Sequence, residues 1–296
     1  MMELNEMTDV LVTVRAGSLF VTLNDPENRN ALSDSILEDI EQICAHVVAR
    51  QGHYRGLVLR GAGGVFSAGG NIKTFSHDYQ SADTAADSIA AANRRFGALL
   101  SCLDALPLPV IAAVDGAARG GGVGLAAIAD VVIATADSTF SLTETTLGLL
   151  PAQIAPFVAA RVGRHTARRL MLTASRLDGA AAAAAGLVDE VVDDSSALDA
   201  AIGRTLGRVR RCAPRANAAT KALVNASARL PLEDLLDHSA KQFAAAMVAT
   251  EAKEGVAAFL EHRRPAWAAG HEADSGHPLR PVSAAACATR PAEEPT

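Results

Sequence analysis

Short apolar runs alternate with amphipathic stretches over the first two thirds of the chain, which predicts strands interleaved with helices. Residues 11–15 and 18–23 read as two strands turning at Ala16-Gly17, a hairpin. A loop at 24–28 follows. Ser33 is placed to cap a helix whose Ile36, Leu37, Ile40, Ile43, Cys44 and Val47 recur at helical spacing. A strand at 56–60 enters a glycine-rich run. A polar, alanine-rich stretch at 76–92 leads into a helix ending near Leu106, where Pro107 and Pro109 stop it and admit a strand at 109–114. Beyond a second glycine-rich run the pattern predicts helix over 125–129, strands at 131–134 and 139–142, helices at 154–162, 167–173 and 178–185, and a short strand at 188–192. From Ser195 to about Trp267 only helix is legible, with breaks at Pro214 and near Pro231. The strand, strand, helix order recurs with irregular spacing. The reading is an α/β core over 1–194, a helical region over 195–268, and a tail over 269–296 whose Pro, Ala, Ser and Glu content predicts disorder.

The two glycine runs carry the most information. Gly61-Ala62-Gly63-Gly64-Val65-Phe66-Ser67-Ala68-Gly69-Gly70-Asn71-Ile72-Lys73 follows one strand, and Gly116-Ala117-Ala118-Arg119-Gly120-Gly121-Gly122-Val123-Gly124 follows another. Each reads as a turn opening a helix. Glycine lets backbone approach a ligand closely, and the free N–H groups of a helix start favour negative charge. Two such turns can aim two backbone donors at one carbonyl oxygen. Tight helix–strand packing is the rival reading of either turn alone. Dinucleotide binding is another, since Gly122-Val123-Gly124-Leu125-Ala126-Ala127 fits GxGxxA. Asp137 sits late for the acid of that fingerprint, and no GK[ST] follows either turn.

Composition narrows the class. The chain has 296 residues, 49% of them hydrophobic and 4% aromatic, so alanine supplies much of the apolar volume. A net charge of −6 argues against nucleic-acid partners. Cys44, Cys102, Cys212 and Cys287 are scattered, which suggests neither a disulfide framework nor a zinc site, and His46, His53, His165 and His238 show no ligand spacing. The polar start at 1–9 is unlike a targeting peptide, and no apolar run approaches the roughly 20 residues of a membrane span. The expectation is a soluble, cytoplasmic protein with no membrane partner.

Asn30-Ala31-Leu32, Phe66 to Lys73, Gly120-Gly121-Gly122, Asp130, Leu147-Gly148-Leu149-Leu150-Pro151 and Ala185-Gly186-Leu187-Val188 together resemble the enoyl-CoA hydratase/isomerase (crotonase) superfamily. The resemblance runs from about Val10 to Trp267. It implies a spiral of ββα units with a C-terminal helical assembly region, a homotrimer or dimer of trimers, and an acyl-CoA thioester substrate. No prosthetic group is implied, because coenzyme A arrives as part of the substrate. By position, the oxyanion donors are the N–H groups of Gly70 and Gly121.

Hydratases of this superfamily often use two glutamates. Glu144 matches the second, whereas the position of the first holds Gly124. The resemblance thus implies hydration, with Glu144 as sole acid/base, its pKa raised by apolar neighbours Phe140, Leu142, Leu147 and Leu149. Isomerisation, decarboxylation, or weakly active acyl-CoA or RNA binding on the same scaffold are the alternatives. Gly124 and the stretch 148–157 look more like bacterial hydratases of branched glutaconyl-CoA thioesters (methylglutaconyl or isohexenylglutaconyl), with Gly124 expected to leave room for the branch. Arg119 reads more as a solvated surface arginine than as a partner for a distal carboxylate. On the CoA side, family position points to Arg29, Ala68, Asn71, Ile72, Lys73, Phe259 and His262, with core packing an equal reading of Phe259. Arg204, Arg208, Arg210, Arg211 and Arg215 read as a solvated helix face.

Overall fold

The computed structural model describes residues 7, 9–71 and 86–269. Ile72, Lys73 and nearly all of the tail lie outside them. Strands β1 (Val10–Arg15) and β2 (Ser18–Leu23) pair antiparallel across the Ala16-Gly17 turn, both of whose residues take positive φ. Helix α1 (Asp34–Ala49) is capped by Ser33, whose hydroxyl accepts from the Ile36 N–H. Then come β3 (Leu57–Gly61), β4 (Val65–Ser67), α2 (Ala86–Asp104), β5 (Val110–Val114), β6 (Ala117–Arg119) and α3 (Gly121–Ala127). Next are β7 (Val131–Thr135), β8 (Thr139–Ser141), a 3-10 turn over Glu144–Leu147, α4 (Ala155–Thr173), β9 (Leu177–Asp178), α5 (Gly179–Ala184) and β10 (Glu190–Val192). Four helices close the described chain: α6 (Ser195–Arg211), α7 (Pro214–Ser227), α8 (Leu232–Val248) and α9 (Thr250–Leu260).

The strands form two sheets. The larger runs β1-β2-β3-β5-β7-β10, parallel except for the β1–β2 hairpin; the smaller runs β4-β6-β8-β9, parallel except for β8–β9. Strand β3 shows why the larger sheet reads as unbroken apolar runs. Leu57 and Leu59 enter the main core with α1, α2 and α3, while Val58 faces a second core built with Leu198, Ala201, Ile202 and Leu206 of α6. Both faces are covered, as a parallel sheet requires. Two aspartates fix the strand starts. Asp130 accepts from the Val110 N–H at 2.7 Å and pairs with Lys221, and Asp189 accepts from the Val132 N–H at 2.7 Å and pairs with Arg161.

The recurrent strand, strand, helix order, with helices at the C-terminal end, is the arrangement that the crotonase resemblance implies. Both glycine runs, however, hold a short strand that periodicity did not reveal. Each is three residues long, too short for alternation to register. Within α4, Gly163 adopts φ 76°, ψ 153°, which breaks the helix between the two segments that the pattern predicts. A further break at Ala249 separates α8 from α9 without any proline. Arg210 is buried at 9% exposure, not part of a solvated face. No helix among the described residues is long and apolar enough to cross a membrane.

Ile202 is fully buried in the second core. Ile202→Ala is expected to cost about 2–5 kcal/mol in chemical denaturation. A cost below about 1 kcal/mol would contradict the docking of α6 on the sheet.

Candidate active site

The site is built where the ends of β4 and β6 meet. Asn30, fully buried, organises the β4 side. Its Nδ2 donates to the Ala62 and Val65 carbonyls (2.9 and 2.7 Å), and its Oδ1 accepts from the Asp25 N–H (2.9 Å). Its own carbonyl accepts from Ser67 Oγ at 2.8 Å, and that oxygen accepts from the Gly69 N–H at 3.1 Å. The loop 25–32, the β3–β4 turn and the Gly69-Gly70 backbone are thereby one hydrogen-bonded unit. The Leu32 N–H donates to the Gly69 carbonyl at 2.8 Å, and the parallel bridge Leu32↔Gly70 turns the Gly70 N–H away from Leu32.

On the other side, β6 ends at Arg119 and Gly120 takes φ 47°, ψ −114°, a conformation suited to glycine alone. The Gly120 N–H donates to the Ser141 carbonyl at 3.0 Å, tying the ends of β6 and β8 together. Gly121 starts α3, so its N–H has no intrahelical acceptor. The two sides are in backbone contact. A Cβ on Gly69 would lie 2.5 Å from the Arg119 carbonyl oxygen and 3.2 Å from the Gly121 nitrogen. A Cβ on Gly121 would meet Leu32 at 2.7 Å and the Phe96 ring at 3.2 Å.

Glu144 reaches this place from the 3-10 turn after β8. That turn is pinned by the Leu149 N–H on the Glu144 carbonyl (3.0 Å) and by Thr145 Oγ1 on the Met171 carbonyl (2.9 Å). Its Oε1 stands 2.8 Å from where Gly120 would carry a Cβ, while Oε2 is buried without a hydrogen-bond partner among the described residues. Burial raises the carboxyl pKa above its ordinary value, partly opposed by a backbone hydrogen bond to the carboxylate. The apolar surroundings are not those the sequence suggests, because Leu147 and Leu149 are 55% and 46% exposed.

Gly124 does not leave room for a branched substrate. A Cβ there would lie 2.5 Å from Cγ2 of Ile154 and 3.5 Å from Leu100, both buried, so Ile154 fills the space. Arg119 is not a free surface arginine: it is half-buried, and Nη1 donates to the Ser141 hydroxyl at 2.5 Å.

Of the other expected residues, Arg29 joins the β4 side through its backbone, its carbonyl accepting from the Ala68 N–H at 2.9 Å, with its side chain exposed. Ala68 and Asn71 flank Gly69-Gly70 and are half-buried. Ile72 and Lys73 lie outside the described residues. Phe259 is not core, being 79% exposed on α9, which packs on α8. His262 follows that helix with φ 54° and is exposed. Neither is hydrogen-bonded to the glycine turns. Sequence reasoning noticed Asn30 only within a motif; an asparagine ahead of two apolar residues and a capped helix was the available signal. Ser67 and Ile154 likewise stood out only as parts of the Phe66–Lys73 and 148–157 stretches, and Phe96 gave no signal.

A sequence profile of the enoyl-CoA hydratase/isomerase family matches residues 13–270. The chain belongs to that family. An Alternaria alternata enoyl-CoA hydratase, AKT6-1, is 33% identical over 255 residues, covering 86% of this chain and 82% of its own length. The 1,2-epoxyphenylacetyl-CoA isomerase of Escherichia coli is 32% identical, covering 88% and 98%. Among solved structures, Pseudomonas aeruginosa AtuE is 46% identical with a TM-score of 0.85, covering 88% of this chain and all of its own. An enoyl-CoA hydratase/isomerase from Marinobacter aquaeolei is 38% identical with a TM-score of 0.84, covering 88% and 99%. The protein is therefore an enzyme family member of acyl-CoA hydration or isomerisation type.

Because Ile154 fills the space beside Gly124, Gly124→Ala is expected to cost about 1–3 kcal/mol by overpacking, read as a lowered thermal midpoint. Adding Ile154→Val should recover part of that loss. An undiminished midpoint in the single variant would contradict the contact.

Proposed function

We propose that the chain hydrates an α,β-unsaturated acyl-CoA thioester with two backbone amides and one carboxylate. The observation that carries this is Glu144, whose carboxyl stands beside Gly120 with Oε1 toward it and Oε2 buried and unpartnered among the described residues. The thioester oxygen is received by the Gly70 and Gly121 N–H groups, which stabilise the enolate that forms as water adds to Cβ. Glu144 takes a proton from that water and delivers it to Cα. Its raised pKa makes it a stronger base than an ordinary carboxylate, so it must be ionised to start the cycle. Coenzyme A enters as part of the substrate and no prosthetic group takes part. Arg29, Ala68, Asn71, Ile72 and Lys73 receive its near end, and exposed Phe259 and His262 its far end. The acyl group is proposed to be a branched glutaconyl thioester, on the likeness of the 148–157 stretch, with its branch placed elsewhere than at Gly124.

Isomerisation is the second reading. A single carboxylate suffices to move a proton between two carbons, and a relative matched over 98% of its length is an isomerase. The discriminating assay follows the ultraviolet absorbance of the conjugated enoyl thioester, offering crotonyl-CoA and 3-methylglutaconyl-CoA in parallel. Loss of absorbance through hydration supports the first reading. An unconjugated 3-enoyl thioester gaining absorbance, with no loss from the 2-enoyl thioesters, supports the second.

Glu144→Gln is expected to lower turnover by on the order of 10² or more with acyl-CoA affinity nearly unchanged; full activity removes Glu144 from the chemistry. The pH profile has a definite sign. Activity should fall as pH drops through the raised Glu144 pKa, giving an acidic limb above pH 4.5, the ordinary value. Stability shifts the other way. The unfolded carboxyl ionises first, so above pH 4.5 the native state is disfavoured increasingly until the raised pKa is passed. Glu144→Gln should therefore be more stable than wild type at neutral pH and equal to it in acid.

A homotrimer or dimer of trimers is proposed on α8, which buries none of its residues while exposing Leu232, Leu236, Phe243, Met247 and Val248. Phe243→Glu with Met247→Glu should shift the mass in light scattering toward the single chain. An unchanged mass would clear α8 of an assembly role.

A further inference from the structure

Cys44 and Cys102 are distant in sequence yet meet in the fold. Cys44 lies on the buried face of α1, with Ile40, Ile43 and Val47, and is itself fully buried. Cys102 is half-buried on α2 and packs against the same core. The two thiols are hydrogen-bonded to one another. A second contact fixes the alignment of the two helices. Arg95, two turns before Cys102 on α2, donates to Glu41 of α1 through Nε and Nη2 at 3.0 and 2.9 Å, with Asp34 and Glu38 each 3.6 Å away. Glu41 stands one turn before Cys44. The helices are thus held by an ion-pair cluster at one level and by paired sulfurs at the next.

The pair is asymmetric. The Cys44 S–H donates to the Cys102 sulfur, which brings the Cys102 thiol down to about 7, against burial and the Glu41 charge, both of which push it up. The same hydrogen bond, together with burial, pushes the Cys44 thiol well above its ordinary value. The thiolate is the reactive form of cysteine, so the half-buried sulfur is the nucleophile and the fully buried one its resolving partner. Exposed Cys212 instead donates to the Arg208 carbonyl at 3.6 Å, which does not favour its thiolate.

We propose that Cys44 and Cys102 form a peroxide-responsive modification site, closing to a disulfide that joins α1 to α2 beside the candidate active site. The Cys102 thiolate attacks one oxygen of a hydroperoxide. The O–O bond breaks, the leaving oxygen takes up the proton that Cys102 released, and a sulfenic acid forms on Cys102. The Cys44 sulfur then attacks that sulfur, the S–O bond breaks, and hydroxide leaves with the Cys44 proton as water. Two thiols lose two electrons, and hydrogen peroxide is reduced to two waters.

Both helices bear on the site. Helix α1 follows Leu32, whose Cδ1 lies 2.7 Å from where Gly121 would carry a Cβ. Helix α2 carries Phe96 and Leu100, which lie 3.2 Å and 3.5 Å from the corresponding points on Gly121 and Gly124. Bonded sulfurs stand about 2.05 Å apart, closer than any hydrogen-bonded pair. Closure therefore shifts α2 relative to α1, and in a close-packed interior that moves Phe96 and Leu100 against the helix that carries the Gly121 N–H.

The test treats the reduced full-length protein with hydrogen peroxide, alkylates the remaining thiols and maps the peptides by mass without reduction. One cross-linked pair carrying Cys44 and Cys102 is expected, formed before Cys212 is modified and opened again by dithiothreitol. Cys44→Ser should stop at a sulfenic acid on Cys102, trapped by dimedone, and Cys102→Ser should leave Cys44 unmodified. This mass readout needs no substrate, so it is independent of the hydration reading. Oxidised wild type should bind acetoacetyl-CoA about 10-fold more weakly in calorimetric titration, as expected for a repacked core contact, and recover on reduction. Peroxide should leave the affinity of Cys102→Ser unchanged. Absence of the Cys44–Cys102 link under conditions that oxidise Cys212 overturns the site, and a link that leaves affinity unchanged overturns its coupling to acyl-CoA binding.

Discussion

The site depends on one close approach: the backbone of Gly69-Gly70 lying against that of Arg119 to Gly121 with no side chain between them. Any Cβ on Gly69 would strike the Arg119 carbonyl at 2.5 Å. That contact needs β4 and β6 to run parallel and adjacent, which the smaller sheet provides. It needs the first strand end held from behind, which the buried Asn30 amide and the Ser67 hydroxyl do. It also needs the second strand to turn into α3 through a residue at φ 47°. Side-chain packing elsewhere serves to keep these two backbones in place. Chemistry built on main-chain N–H groups tolerates changes in neighbouring side chains but not in the glycines themselves.

Much of this was legible. The hairpin, the Ser33 cap, most strands of the larger sheet and the helices beyond residue 195 all follow from periodicity and capping, and the glycine runs marked the place where the two strand ends meet. What the runs contain was not legible. Val65–Ser67 and Ala117–Arg119 are strands only because each has a partner across the sheet, and three residues leave no alternation to read. Gly124 misled for a related reason. A missing side chain suggests space, yet whether the space is open depends on Ile154, thirty residues away in sequence and in contact only through the fold. Phe259 likewise sits at helical spacing with Val256 and Leu260, but spacing gives no account of which helix face finds a partner, and all three are exposed.

In the mechanism we propose, a single buried carboxylate sets the character of the chemistry. Desolvation raises the Glu144 pKa, and the same burial leaves Oε2 without a hydrogen-bond partner among the described residues. The cost to stability and the basicity needed for proton transfer have one origin. Membership of the enoyl-CoA hydratase/isomerase family fits this site, and the choice between hydration and isomerisation turns on what else can hold water near Cβ.

The most direct measurement is a crystal structure with bound acetoacetyl-CoA. The account predicts its thioester oxygen at about 2.7–3.1 Å from both the Gly70 and Gly121 nitrogens, with the Glu144 carboxyl over Cα. An oxygen held by neither amide, or an acyl chain lodged away from Gly120-Gly121, would contradict it.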